Sequence, residues 1–149
     1  MKSPQSEDSL KRFIEAQEGM YPRALAELKA GRKQSHWMWF IFPQIAGLGI
    51  SETSRFYAIR DLQEAMQYLD HPLLGKRLEE CCQALLLLEG LSVLHIFGSP
   101  DDLKLKSSMT LFSQAADEPE IFERVLDRYY SGEKDERTLD ILARLNRQV

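Results

Sequence analysis

The run Ser35-His36-Trp37-Met38-Trp39-Phe40-Ile41-Phe42-Pro43-Gln44 gathers the groups best suited to meet a ligand. His36 is the candidate catalytic residue, because an ordinary imidazole pKa of ~6.5 allows general acid or base work near neutral pH. Trp37 and Trp39 are the only tryptophans of the chain, and each buried aromatic removes ~150–250 Å² from water. So much apolar area belongs in the centre of a core or on the wall of a pocket. Gln44 follows Pro43, where the run leaves that interior, and with His36 would read the polar edge of a ring lying on an indole. Gly47-Leu48-Gly49, followed by Ser51 and Ser54, could offer backbone N–H groups to an anion at a helix start. Its spacing is neither a Walker A loop nor a dinucleotide fingerprint, and a plain turn after Pro43 is the simpler account.

A second polar concentration lies further along. Asp102, Lys106 and Thr110 recur at four-residue steps and share one helix face, while Leu103, Ser107 and Leu111 share another. Ser107-Ser108-Met109-Thr110 is unfavourable in mid-helix, which implies a close helix contact or a ligand; the plainer alternative is a solvated Asp102–Lys106 pair beside small residues at a crossing. Arg32-Lys33 is the strongest local cation cluster and could meet a phosphate, although surface cations are common. His71 before Pro72 reads as a turn residue and His95 as part of a short helix. Cys81 and Cys82 are adjacent, a poor geometry for a mutual disulfide and too few ligands for zinc; they read as small apolar helix residues. No metal-ligand spacing, hydrolase elbow or cofactor motif is present.

Bulk properties narrow the class. The chain has 149 residues, 44% hydrophobic and 28% charged, the size of one domain that buries about 68–70% of its unfolded surface without staples. A net charge of −4 argues against broad nucleic-acid binding. Residues 1–8 lack an apolar leader core, and apolar runs such as residues 85–88 are far short of a membrane span. A cytoplasmic protein with no membrane partner is expected, its oligomeric state open.

Helix punctuation sets the elements that must position these groups. Ser6 or Asp8 is expected to cap a first helix carrying Leu10, Phe13, Ile14 and Gln17. Pro22 opens a second, which closes before Gly31. A helical segment is expected within residues 51–59. Asp61-Leu62-Gln63-Glu64 has capping-box spacing ahead of a stripe of Leu62, Ala65, Met66 and Leu69. After His71-Pro72, a buried helix carries Leu74, Leu78, Cys81 or Cys82, Leu85 and Leu88. Residues 92–97 make a turn or two of helix. Ser99-Pro100 and Asp117-Glu118-Pro119 each read as a cap with proline in the first turn, and Asp135 caps a last helix with Leu139, Leu142 and Leu145. No clean alternation of apolar and polar residues occurs, so the fold class is all-α: a compact multihelical single domain over residues 1–149.

Several phrases together resemble one family: the aromatic run, Gly47-Leu48-Gly49, Tyr57-Ala58-Ile59, His71-Pro72 with Leu74-Gly75, and Ser107-Ser108-Met109-Thr110-Leu111-Phe112. They are similar to the bacterial family called domain of unknown function 1810, with the likeness running from about residue 13 to 112. The resemblance implies a helical fold and no established activity. Such proteins sometimes carry a calpastatin label, but that inhibitor type is a disordered, repetitive chain poor in aromatics. A chain with 9% aromatics and dense helical periodicity is a folded domain, so calpain inhibition is not expected. The preferred reading is a small-molecule site for a nucleotide-like or anionic aromatic ligand, with His36 as the chemical group and Trp37, Trp39, Gln44, Ser51, Ser54, Tyr57, Asp102, Lys106 and Ser107 as ligand contacts. A loose likeness to small helical NAD- and ADP-ribose-linked proteins extends it to ADP-ribose chemistry. The rival reading is a non-catalytic interaction or structural module.

Overall fold

Apolar residues at helical spacing, cut by proline and glycine, fold into ten helices with no strand among the described residues. The computed structural model describes residues 4–147, and side chains from residue 9. The helices are α1 (Pro4–Gln17), α2 (Tyr21–Lys29), α3 (Met38–Ile41), α4 (Glu52–Phe56), α5 (Leu62–Asp70), α6 (Leu74–Leu87), α7 (Val93–Phe97), α8 (Asp101–Ala115), α9 (Glu120–Tyr130) and α10 (Glu136–Arg147). Helix α1 starts at Pro4, upstream of both expected caps; the side chains of Ser6 and Asp8 lie outside those described. No helix of the described residues is long and apolar enough to cross a membrane.

Helix α8 is the axis, packed against α5, α7, α9 and α10. Nine of its residues are buried, among them Ser107, Ser108, Thr110 and Ser113. Small residues let neighbouring helices approach, and three of these hydroxyls lean back on the helix's own carbonyls: Ser107 Oγ donates to Leu103 O at 3.3 Å, Thr110 Oγ1 to Lys106 O at 2.8 Å and Ser113 Oγ to Thr110 O at 2.7 Å. Around this axis Phe13, Tyr68, Phe112 and Phe122 form a chain of ring contacts with centroids 5.2–5.9 Å apart. Cys81 and Cys82 are buried free thiols, and burial pushes Cys81 up to about 12.

The caps divide by type. Ser51, Asp61, Ser92 and Asp135 accept backbone N–H bonds at the starts of α4, α5, α7 and α10. The two proline-led starts differ from expectation. The Ser99–Pro100 peptide is cis, and Pro100 and Pro119 themselves occupy the N-cap positions of α8 and α9 without a side-chain cap. The α5 stripe is also corrected. Leu62 and Met66 are exposed, and the buried face is Glu64, Ala65 and Tyr68. Leu69 is half-buried against the core. A carboxylate takes an interior position because Arg12 reaches it from α1, with Nη2 3.1 Å from Glu64 Oε1. Leu139 is likewise half-buried and outside the core, while Ile141, Leu142 and Leu145 pack against it.

The one ladder-like feature closes the loop that follows the aromatic run. Ala46 N donates to Ile59 O and Ile59 N to Gln44 O, each at 2.8 Å. This parallel bridge pins residues 44–59 into a closed loop, with α4 as its far side.

Candidate functional site

The aromatic run splits at α3. Trp37 and Phe42 are fully buried and meet Phe97 edge-on, whereas Trp39 is only half-buried. Glu27 on α2 decides the split. Its Oε1 accepts from Trp37 Nε1 (2.8 Å), Gln34 N (2.8 Å) and Ser35 N (2.9 Å), and its Oε2 from Ser35 Oγ (2.6 Å). Burial alone would raise the Glu27 carboxyl, but these four donors hold it at about 2 against an ordinary 4.5. Stability carried by this carboxylate is present above about pH 4.5 and is lost as pH falls toward 2. Glu27→Gln is therefore expected to unfold more easily than the parent at pH 7 in urea titrations, with the gap closing as the pH approaches 2.

Beyond α3, residues 44–58 enclose a small hollow of about 90 Å³ with Trp39 on its wall. Gln44, Ser54, Arg55, Tyr57 and the Gly47-Leu48-Gly49 turn complete the lining. Gly49 is dictated by space: a Cβ there would stand 2.6 Å from both Cβ and Oγ of Ser54. Gly47 has φ +105°, a conformation glycine adopts without strain. Ser54 Oγ donates to Ser51 O at 2.8 Å and the Tyr57 ring meets Phe40 at a tilt, centroids 5.5 Å apart, which fixes two walls. Outside the lining, Lys104 of α8 holds its Nζ 4.0 Å from the Trp39 ring centroid while paired with Asp101 at 3.1 Å.

One lining group is out of balance. Gln44 is 9% exposed, and its Nε2 is buried with no hydrogen-bond partner. A buried amide without a partner costs roughly 1–3 kcal/mol. Gln44 and Trp39 line the same hollow, a polar group and an apolar wall of the kind small-molecule pockets combine.

The structure thus gathers four of the expected contacts, Trp39, Gln44, Ser54 and Tyr57, around one hollow. Ser51 stands beside it as the α4 cap, and its Oγ is occupied by Ser54 N at 3.1 Å. Trp37 lies in the core and His36 is exposed; neither lines the hollow. The second polar concentration belongs to another place. Asp135 Oδ2 accepts from Ser107 Oγ at 3.0 Å and from Thr138 N at 3.1 Å, and Asp135 N donates to Thr110 Oγ1 at 2.8 Å. Ser107 and Thr110 therefore hold the start of α10. Lys106 pairs with Glu133 at 3.5 Å and not with Asp102. Asp102 accepts from Tyr130 Oη through its carbonyl and keeps a buried, unpartnered Oδ1. Lys33 is engaged with Asp101 (2.9 Å) and Ser35 O (2.7 Å), so of Arg32-Lys33 only Arg32 is exposed. Asp135→Ala is expected to cost about 1–2 kcal/mol, read as a lower urea midpoint, because it strips a cap and leaves Ser107 without its carboxylate.

Sequence reasoning passed over Glu27, Arg55 and Lys104. Glu27 had a local signal, since a carboxylate in the last turn of a helix opposes the macrodipole and needs a partner elsewhere. Lys104 had none, because its place over Trp39 brings together residues 65 positions apart in sequence from two separate helices.

Comparison with known proteins agrees with this architecture. The profile of a family described as "Protein of unknown function (DUF1810)" matches residues 7–142, a longer span than the phrases at 13–112. A conserved hypothetical protein of Mycobacterium tuberculosis, Rv1873, is similar in crystal structure, with a TM-score of 0.89 and 51% identity over 90% of this chain and 96% of that one. No match was found among the curated proteins compared.

Proposed function

The chain belongs to the DUF1810 family, and from the site it carries we propose that it binds a small ligand with a planar, acceptor-bearing head group and an anionic remainder, as in a nucleotide. The unpartnered Nε2 of Gln44 supports this reading more than any other single feature. The head group lies against Trp39 and accepts from Gln44. A volume of about 90 Å³ admits several waters or one ring but not a whole nucleotide, so the remainder extends over the rim. There Arg55 is exposed and free of ion pairs among the described residues, and Lys104 stands over the Trp39 face. Tyr57 and Arg55 are the ionisable residues of the lining. The activity supported best is recognition of the ligand, without a bond-making group placed against it.

The test is a thermal-shift panel of nicotinamide, adenine, AMP, ADP-ribose and NAD against the parent and Gln44→Leu. A ligand at a hundredfold excess over Kd stabilises by ~2.7 kcal/mol, roughly 5–10 °C for a domain of this size. The proposal expects at least one such shift, lost in Gln44→Leu. That variant removes an orphaned amide, so its own unfolding free energy should equal or exceed the parent's. A flat panel, or a shift that survives Gln44→Leu undiminished, refutes the site.

A further inference from the structure

We propose that the open groove beside α6 is a docking surface for a cationic amphipathic helix. It shares no residue with the Trp39 hollow, and its volume of about 1130 Å³ exceeds that space more than tenfold. Such a volume lies at or above the upper end of small-molecule pockets, ~300–1,000 Å³. The α6 residues facing it run from Gly75 to Leu87, a rise of about 18 Å at ~1.5 Å per residue. A visiting helix of three to four turns matches that length.

Part of the floor is apolar, set among polar side chains. Met66, Leu86, Leu87 and Ile121 contribute to one concave surface, and Met66 and Leu87 stand 42% and 81% exposed. Single exposed apolar residues are ordinary, but several on one concave face mark a contact. The rim fixes the sign of the partner. Asp70, Glu79, Asp117, Glu118 and Glu120 line the groove against Lys76, Arg124 and the imidazole of His71. None of these five carboxylates is in an ion pair among the described residues, whereas Glu64, Asp101 and Glu133 elsewhere are paired. An extended peptide would need a strand edge to pair with, and none exists among the described residues. A helix satisfies its own backbone and presents leucine-like side chains to the floor with lysines toward the rim.

The experiment measures fluorescence anisotropy of a labelled 14-residue peptide with leucine on one helical face and lysine on the other, titrated with the full chain. A control peptide carries glutamate in place of lysine. The lysine peptide should bind saturably and at least tenfold more tightly than the control. Glu79→Lys with Glu118→Lys should weaken it at least tenfold, as should Leu87→Ser, while Gln44→Leu leaves it unchanged. Equal affinity for the two peptides, indifference to the charge reversals, or absence of binding overturns the proposal. So does sedimentation showing a dimer of this chain that Leu87→Ser disperses, which would assign the groove to a second copy.

Discussion

Trp37→Ala is expected to lower the unfolding free energy by about 3–5 kcal/mol, enough to leave a domain of ordinary stability largely unfolded at 37 °C. The indole is fully buried between Phe42 and Phe97, so truncation opens a cavity in a close-packed region. It also removes one of the four donors on Glu27. Trp39→Ala, two residues on, should cost under about 1.5 kcal/mol, because the ring is half-buried on the wall of a hollow. Urea unfolding of both variants followed by circular dichroism checks the contrast. Similar losses for the two would mean that both rings are core.

The second large effect is expected at Arg12→Met, about 3–5 kcal/mol. Glu64 has a fully buried side chain on α5, and Arg12 is the cation that reaches it from α1, at 3.1 Å. Burial would push this carboxyl up, but the backbone N–H of Arg60, the Ser9 hydroxyl and the Arg12 guanidinium hold it below the usual carboxylate range. Arg12 also donates to Phe56 O and Ala58 O, each at 2.8 Å, tying α1 to the loop that bears the hollow. Removing the guanidinium leaves the carboxylate buried beside the exposed Arg60, 3.4 Å away, so Glu64 should take up a proton at higher pH in the variant than in the parent. A lowered folded-state pKa stabilises above the unfolded value of ~4.3 and is lost as pH falls below it. Parent stability should therefore decline in acid, and the variant should be weaker at pH 7 with a shallower acid slope. Arg12→Met with Glu64→Leu should recover most of the loss, since an apolar pair of matched size often replaces a buried ion pair without penalty. A double variant as unstable as the single one would contradict this account.

What could be read from the sequence was local. Ser51, Asp61, Ser92 and Asp135 mark helix starts because a short polar side chain three residues ahead of an N–H determines the geometry alone. The starts after Ser99 and Asp117 were misplaced because proline took the cap position itself. The α5 stripe was misread because the burial of Glu64 is decided by Arg12, 52 residues away, and no periodicity records that partner. The same division holds at the site. Gln44, Ser54 and Tyr57 were within reach because one short bridge closes the segment that carries them, and Trp39 lies just ahead of it on α3. Which indole faces inward was not, since Glu27 of α2 makes that choice. The hydroxyls of Ser107 and Thr110 do serve a helix contact, and their partner Asp135 lies a helix away.

The most direct measurement is a nitrogen–proton NMR titration of the full chain with the compound giving the largest thermal shift, following the Gln44 side-chain amide and the Trp39 indole. Joint, saturable movement of both resonances, with the Trp37 indole nearly still and the Trp39 response abolished in Gln44→Leu, is the predicted result. Movement of Trp37 or His36 in place of Trp39 and Gln44, or a Trp39 response unchanged by Gln44→Leu, would contradict it.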